Sequence, residues 1–344
     1  MPYCFGGVMH HRWSMRVFAL SAVLGCAGLA SCGPNPEAGG GIGGTGSVSV
    51  SSVSSGAVTK LSSVNISGTE YDTSNALYCI DSGPCSTENR LKVGMVVLVR
   101  GTVQFPSQGT ASRIADTVTF DETVEGVVQT VAPDGSSVIV LGQVVEVNQD
   151  TVIDGDITEK SIRSLKPGVD VIVVSGLVAA DGHIVATLIM KRSGTPHFEV
   201  QGVIKNHDVA GKRFEIGQLL IDYSGADVSN MTAGMMMSWN NRLVHARGDE
   251  WQVRSEAPNG ASLRATKVKP LSLTVDDSAE AKLQGFITQL TPLGEFSINN
   301  HPIKVSLATK FEGGTEKDLV LGKHLFIHGA LVQGVLEADE VIFK

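Results

Sequence analysis

The sequence predicts an all-β chain: a tandem array of about four small five-stranded barrel modules that follows a signal peptide and a flexible tether. Short runs rich in valine, isoleucine and threonine alternate in polarity between turn residues, which is typical of strands joined by hairpins. A glycine-framed phrase also recurs, in which two apolar residues follow a first glycine and a second glycine stands nine positions after the first. The copies read Gly126-Val127-Val128 to Gly135, Gly202-Val203-Ile204 to Gly211, and Gly285-Phe286-Ile287 to Gly294.

The distance between copies indicates what one repeat is. It is roughly 80 residues, longer than the roughly 20 to 50 residues of solenoid and propeller repeats, so each copy must be a complete small domain. The chain is therefore expected to be a string of similar barrels. Domains of this size bury only about 60% of their unfolded surface, so packing between neighbours is expected to add stability.

The second copy shows the expected strands most clearly. Asp134-Gly135 and Asp181-Gly182 are strong hairpin signals, and residues 161–166 are compatible with one helical turn. Five strands and one short connector in about 70 residues describe a small barrel of the oligonucleotide/oligosaccharide-binding (OB) kind, with a sandwich as the alternative. The expected strands span 123–132, 138–142, 144–147, 169–177 and 184–190.

A second phrase closes each module. A glycine before a strand is followed by another glycine seven or eight positions later, and a β-bulge would absorb the extra residue of the second copy. An alanine follows on the next strand. The glycine pairs are Gly94 and Gly101, Gly168 and Gly176, and Gly322 and Gly329, and the alanines are Ala111, Ala186, Ala265 and Ala338.

These phrases set the limits of the modules. Module 1 is expected at 61–120, module 2 at 121–192, module 3 at 197–271 and module 4 at 279–344. Module 3 departs from the others, because a longer segment rich in methionine and tryptophan stands where they have a compact hairpin.

The apolar residues of this divergent segment are candidates for contact with a partner. Methionine-rich surfaces adapt to varied partners, and exposed apolar patches mark interaction sites. The alternative, which we favour from the sequence, is that the segment packs into its own barrel or against a neighbour. The residues are Met235, Met236, Met237, Trp239 and Trp251.

Residues 1–31 have the features of a lipoprotein signal peptide. Two arginines precede an apolar run at 17–30, which is shorter than the about 20 residues of a membrane-spanning helix. The run ends in Leu29-Ala30-Ser31-Cys32, which resembles the bacterial lipobox and implies that Cys32 carries acyl chains such as palmitate. Cys26 is the weaker alternative for the lipidated residue.

The residues after Cys32 indicate a location in the cell and a flexible tether. Gly33, rather than aspartate, at the second position of the mature chain is similar to lipoproteins sorted to the outer membrane, where the protein would face the periplasm or the cell surface. Residues 32–60 are rich in glycine and serine, and a flexible chain of this length has a reach of roughly 30 Å. Their valine-containing part could still pair as an edge strand.

The charge balance argues against a nucleic-acid partner. The chain has 27 basic and 35 acidic residues, and removal of the leader takes two arginines and no acid, so the mature net charge is 25 minus 35, or −10. Nucleic-acid readers are normally basic on one face. Single-strand binding by stacking aromatics also ranks last, since aromatic residues make up only 5% of the chain.

Two cysteines remain in the body of the mature chain. Cys79 and Cys85 flank a Gly-Pro turn, and an oxidising envelope compartment makes a disulfide between them the simplest expectation. A zinc site would need two further ligands, and a thiol oxidoreductase usually has two residues between its cysteines, so a metal pair and a redox couple are the weaker alternatives.

Several segments resemble a bacterial envelope family known as domain of unknown function 5666. The resemblance covers nearly the whole mature chain and is weakest in module 3. It implies a secreted or lipid-anchored array of β modules, but the family brings no established activity or catalytic residues. The segments are GGIGGTG at 40–46, GTEYDTSNA at 68–76, LKVGMVVLVRG at 91–101 and VEGVV at 124–128.

The remaining candidates for chemistry have ordinary explanations. His324 and His328 lie on one face of an expected strand, but at about 13 Å apart they are too distant to share one ion, so both are expected to be solvated. Asp154 and Asp156 are expected to cap a turn rather than bind calcium. No catalytic residue, metal ligand or cofactor is assigned.

The sequence therefore favours a non-catalytic binding or assembly protein of the cell envelope. Its expected partners are the membrane, through the lipid anchor, and an envelope protein or glycan, with no nucleic acid. The alternative is an envelope enzyme that acts on glycan or cell-wall material through loop carboxylates such as Asp154 and Asp156.

Overall fold

Strands dominate the computed structural model of the chain, as the sequence predicts. The signal peptide, Cys32, the start of the tether and Met235 to Met237 lie outside the described residues. Among the described residues, no helix is long and apolar enough to cross a membrane. The structure describes residues 48–61, 64–66, 68–80, 83–193, 197–231, 238–254, 260–271, 277–291 and 295–344.

Each module contributes six strands. Module 1 has β1 Val48–Lys60, β2 Val64–Ile66, β3 Thr69–Tyr71, β4 Leu77–Ile80, β5 Val96–Phe105 and β6 Ser112–Phe120. Module 2 has β7 Val124–Val131, β8 Ser137–Val140, β9 Gln143–Glu146, β10 Val152–Ile153, β11 Val171–Val178 and β12 Ile184–Lys191. Module 3 has β13 Phe198–Val203, β14 Lys205–Asp208, β15 Arg213–Ile216, β16 Leu219–Asp222, β17 Leu243–Val253 and β18 Ala261–Pro270. Module 4 has β19 Ser278–Leu290, β20 Glu295–Ile298, β21 His301–Lys304, β22 Lys310–Glu312, β23 His324–Val332 and β24 Val335–Phe343.

The helical content of the described residues is limited to single 3-10 turns. Module 2 has two of them, at Thr158–Lys160 and Ile162–Ser164, and the second lies within the range 161–166 where the sequence predicts one helical turn. Module 4 has one, at Glu316–Asp318, in the corresponding place before β23.

The barrels close through one shared circuit of strand pairs. In module 2, β7 pairs with β8, β8 with β9, β9 runs parallel to β12, and β11 completes the ring between β12 and β7. Module 4 repeats the circuit with β19, β20, β21, β24 and β23. The short extra strands β10 and β22 lie parallel to the last strand of each ring. The tandem array of five-stranded barrels is thus confirmed.

Modules 1 and 3 vary this circuit slightly. In module 3 the first strand is interrupted at Ile204, so that β13 pairs with β17 and β14 with β15. In module 1 a bridge between Asp72 and Ile114 joins the end of β3 to β6. β4 carries a disulfide from Cys79 to Cys85, whose Cα atoms are 4.1 Å apart.

The repeated glycines stand where strands approach too closely for a side chain. At the three opening glycines, a Cβ atom would lie 2.2–2.4 Å from an apolar side chain of the facing hairpin. At the closing glycines, a Cβ atom would lie 1.9–2.5 Å from a backbone oxygen of the neighbouring strand. The facing residues are Leu141, Ile216 and Ile298 for the opening set, and Ile114, Val185, Arg264 and Glu337 for Gly101, Gly176, Gly248 and Gly329.

The repeated alanines are the cross-strand partners of these closing glycines. Gly176 pairs with Ala186 and Gly329 with Ala338, in each case beside a β-bulge. In module 1 the partner of Gly101 is Ala115. Ala111, which the sequence placed on the closing strand, lies just before β6, in the loop between β5 and β6.

The tether limit at residue 60 is also wrong. Val48–Lys60 forms β1, a central strand that pairs antiparallel with β5 and parallel with β19. Val53 and Val58 are buried, because alternate residues of β1 face the cores on either side. The strand belongs to module 1 and supplies the first strand of its barrel.

The four modules do not follow each other as a simple string. Within the described residues, modules 1 and 4 share one sheet through β1 and β19, and modules 2 and 3 share another through β7 and β13. Modules 2 and 3 also share one apolar core, whereas modules 1 and 4 have separate ones. The first and last modules are therefore neighbours in space.

A candidate binding cleft between three modules

A large cavity lies where modules 1, 2 and 4 meet. Its volume is about 1120 Å³. The end of β1 lines it from module 1, the turn between β11 and β12 lines it from module 2, and the outer faces of β19 and β23 line it from module 4. The volume of the cavity exceeds the roughly 300 to 1,000 Å³ of typical small-molecule sites. The cleft therefore has room for an extended ligand.

Module 4 supplies an aromatic wall. On β23, Leu325 and Ile327 are buried in the barrel, so the alternating residues His324 and Phe326 face outward. Phe286 of β19 lies opposite His324, with ring centroids 4.8 Å apart. His324 and Phe326 are stacked at 5.6 Å. Three flat rings therefore lie side by side on the cleft wall.

A buried glutamine connects this wall to module 1. Gln284 of β19 accepts a hydrogen bond at Oε1 from the backbone N–H of Ala57, at 2.9 Å. Its Nε2 lies 3.2 Å from Nε2 of His324. Burial, together with the charge of Lys344, lowers the pKa of His324 to about 4.

Module 2 supplies a polar wall. His183, after the turn between β11 and β12, lies between two carboxylates: Asp181 at Nδ1 and Glu146 at 3.2 Å from Nε2. Burial alone would raise the pKa of Asp181, but hydrogen bonds from the backbone and ring of His183 outweigh it, so the pKa is lowered. Asp150 forms an ion pair with Lys344 of module 4 at 3.0 Å.

The electrostatic character of the cleft follows from these groups. Three carboxylates, of Glu146, Asp150 and Asp181, face one ammonium group, that of Lys344. A cleft with this excess of negative charge disfavours phosphates and other anions. Its aromatic wall and its hydrogen-bonding groups suit an uncharged, polar ligand with flat apolar faces.

One cleft carboxylate differs from the general acid of a glycoside hydrolase. Such an acid has a raised pKa, whereas the pKa of Asp181 is lowered. No group of three or more His, Cys, Asp or Glu side chains in the described ranges has the geometry to hold a metal ion.

The loop acids proposed for catalysis have a structural role. Asp154 forms an ion pair with Lys92 and so joins module 2 to module 1. The hydrogen bond from Lys92 lowers the pKa of Asp154, which keeps this carboxylate ionised. Asp156 is exposed on the adjoining turn.

Trp239 is not available as a partner contact. Its side chain is only 4% exposed, and its ring stacks on His207 with centroids 4.6 Å apart. Trp251 is partly buried and packs on Phe198 at 6.1 Å. The described part of the divergent segment therefore completes the core of module 3.

His324 and His328 are half-buried rather than fully solvated. His324 lies in the cleft wall, and Nδ1 of His328 pairs with Glu340 at 3.0 Å. Burial lowers the pKa of His328 as well. Both histidines face outward from barrel 4, as the strand spacing predicts, and neighbouring groups cover that face in part.

Sequence reasoning did not single out the residues that form the cleft, namely Gln284, Phe286, Phe326 and His183. One signal was available for two of them. Phe286 and Phe326 are outward-facing aromatic residues on adjacent strands of a chain with only 5% aromatic residues. Such residues need a cover or a ligand, because an open strand face normally carries polar side chains.

Comparison with known proteins agrees with the repeated architecture. The model of one protein family, "Domain of unknown function (DUF5666)", matches residues 125–190 and 284–342. These two segments correspond to the barrels of modules 2 and 4. No curated protein and no solved structure matches the chain. The chain thus carries two segments that match the domain of unknown function DUF5666, together with two further barrels of a similar strand circuit.

Proposed function

We propose that this protein is a non-catalytic glycan-binding component of the bacterial cell envelope, anchored in the outer membrane by lipid on Cys32. The observation that carries the proposal is the cleft between modules 1, 2 and 4, with aromatic rings on one wall and hydrogen-bonding groups on the other. The envelope location rests on the lipobox and the leader that precedes it.

The two walls of the cleft complement the two kinds of surface on a sugar. A sugar ring has apolar C–H faces and a rim of hydroxyl groups. Phe286 and Phe326 offer flat apolar surfaces to the faces, and Asn148, Glu146 and Asp181 offer acceptors to the hydroxyl groups. OB barrels in general bind oligosaccharides or oligonucleotides. The negative charge of this cleft favours an uncharged saccharide over a nucleic acid.

Binding to soluble oligosaccharides tests the proposal. The full chain in detergent micelles would be titrated calorimetrically with an N-acetylglucosamine tetramer, a glucose tetramer and an acidic galacturonate tetramer. We expect saturable binding of a neutral tetramer and no binding of the acidic one. Phe326→Ala should weaken that binding at least tenfold, because a stacking surface is lost.

A matched control separates loss of the site from loss of the fold. Phe105→Ala removes a half-exposed ring at the end of β5 that does not line the cleft, and it should bind as the wild type does. Equal binding by wild type and Phe326→Ala, or no binding of any tetramer, would overturn the proposal. Hydrolysis of a tetramer would favour the enzyme alternative.

Metabolic labelling tests the anchor. Cells that express the full chain would receive an alkyne analogue of palmitate, and the labelled protein would be followed by fractionation. Cys32→Ser should abolish the label and release the protein from the membrane fraction, whereas Cys26→Ser should retain both. Label that follows Cys26 instead would contradict the assignment of the lipobox.

A further inference from the structure

The hydrogen bonds of Gln284 determine the protonation of His324. A backbone N–H can only donate, so the contact with Ala57 places the amide oxygen of Gln284 on the module 1 side. The amide nitrogen must then face His324 Nε2, at 3.2 Å. Since an amide NH2 group has no acceptor, Nε2 of His324 must accept this bond and carries no proton.

The imidazole is consequently a neutral ring with its proton on Nδ1. Gln284 is only 6% exposed, so its amide has no bulk water with which to exchange partners. Burial, with the charge of Lys344 as a second cause, lowers the pKa of His324 to about 4, which keeps the ring neutral near pH 7. Among the described residues, none forms a hydrogen bond with Nδ1 of His324, a residue that lines the cleft.

We propose that His324 selects the ligand of the cleft by offering a neutral Nδ1–H donor to an oxygen acceptor, and that Gln284 is the positioning residue that sets this tautomer. The inference rests on the proposed function. It names the ligand class more closely: an uncharged saccharide whose hydroxyl or acetamido oxygen accepts a hydrogen bond between the rings of Phe286 and Phe326.

The first of these two hydrogen bonds, from Ala57 to Gln284, joins the first module to the last. Ala57 and Gln284 are 227 residues apart in the chain, and they meet just beyond the last parallel backbone pair of β1 and β19, at Ser55 and Leu283. Docking of module 4 on module 1 therefore sets the chemistry of the ring that faces the ligand.

Nitrogen NMR of the full chain tests the tautomer directly. Long-range proton–nitrogen spectra distinguish a ring protonated at Nδ1 from one protonated at Nε2. We expect the wild-type His324 ring to be the Nδ1–H form from pH 5.5 to pH 8. A wild-type ring protonated at Nε2 would overturn the inference without any variant.

Gln284→Glu is expected to move the ring proton of His324 from Nδ1 to Nε2. The carboxylate can still accept from Ala57, but it can no longer donate to His324, so Nε2 must take a proton. We expect the spectrum to change to an Nε2-protonated ring and the titration midpoint of His324 to rise by more than one pH unit. An unchanged spectrum in a folded variant would contradict the positioning role of Gln284.

Binding of the same three tetramers separates this inference from the proposed function. His324→Phe keeps the flat ring but loses the donor, and it should weaken binding of the neutral tetramer about tenfold. Wild-type affinity should be equal at pH 5.5 and pH 7.5. Equal binding by wild type and His324→Phe overturns the inference alone, whereas failure of every tetramer to bind wild type overturns the proposed function and the ligand assignment with it.

Discussion

Two half-buried histidines, His301 and His324, make the stability of this fold depend on pH. His301 begins β21 and lines a cavity of about 150 Å³ to which all four modules contribute residues. Burial lowers its pKa to about 4, and the pKa of His324 is lowered to a similar value. Both half-buried rings are therefore neutral in the folded chain near pH 7.

This burial predicts a loss of stability in acid. The unfolded chain takes up protons at these rings as the pH falls below about 6.5, while the folded chain does so only near 4, so the free energy of unfolding decreases over that interval. A shift of this size corresponds to up to about 3 kcal/mol for each ring. Urea unfolding of wild type between pH 7.5 and pH 4 should show the decrease.

A variant of His301 isolates its share of this pH dependence. His301→Gln keeps a polar side chain of similar length but cannot titrate, so its free energy of unfolding should fall less steeply between pH 6.5 and pH 4 than that of the wild type. Parallel curves for the two proteins would show that His301 takes up its proton equally in both states.

At the scale of the element, the barrels depend on a close crossing of their last two long strands. Gly329 of β23 faces β24, and a Cβ atom there would lie 2.0 Å from the backbone oxygen of Glu337. Backbone on the neighbouring strand cannot move as a flexible side chain can. The same crossing occurs at Gly101, Gly176 and Gly248.

Gly329→Ala should therefore destabilise module 4. We expect the free energy of unfolding to fall by about 2 to 4 kcal/mol, the range of strained core substitutions, because the β23–β24 pair must separate locally. Gly155→Ala is the control, since a Cβ atom at Gly155 would meet no heavy atom within 4 Å. It should change stability by less than about 0.5 kcal/mol. Equal effects of the two changes in denaturant titrations would contradict the role of the crossing.

At the scale of the whole molecule, the division of the apolar cores predicts which modules unfold together. Ile172 of module 2 lies in the core that modules 2 and 3 share, whereas Ile327 of module 4 lies in a separate core. Both side chains are fully buried, and each lies on the fifth strand of its module, β11 or β23. They form a matched pair of sites.

Hydrogen exchange of the two alanine variants tests this division. Each change should cost about 2 to 5 kcal/mol, as large-to-small core substitutions do. Ile172→Ala should raise amide exchange in module 3 strands β15 to β18 as well as in module 2, whereas Ile327→Ala should leave those strands protected. Faster exchange in β15 to β18 of both variants would show that the modules unfold as one unit.

The repeats, the barrels and the turn positions could be predicted from the sequence because their causes are local. Glycine is needed wherever two strands of one barrel cross closely, so the constraint recurs once in each module and is visible along the chain. A strand whose alternate residues are apolar has an inner face, whatever surrounds the barrel. The Gly-Pro turn likewise brings Cys79 and Cys85 together within a few residues.

Only the tertiary structure decided which outward-facing strands and side chains are covered by another module. β1 has the composition of a tether and became a central strand, since β19, more than 200 residues away, pairs with it. The sequence predicts a solvated His324, but this residue lies half-buried in a cleft wall, where it is hydrogen-bonded to Gln284, which in turn accepts from Ala57. Whether an outward side chain contacts water or another module depends on packing between distant segments. The sequence pattern of a single module therefore does not show which outward side chains are covered.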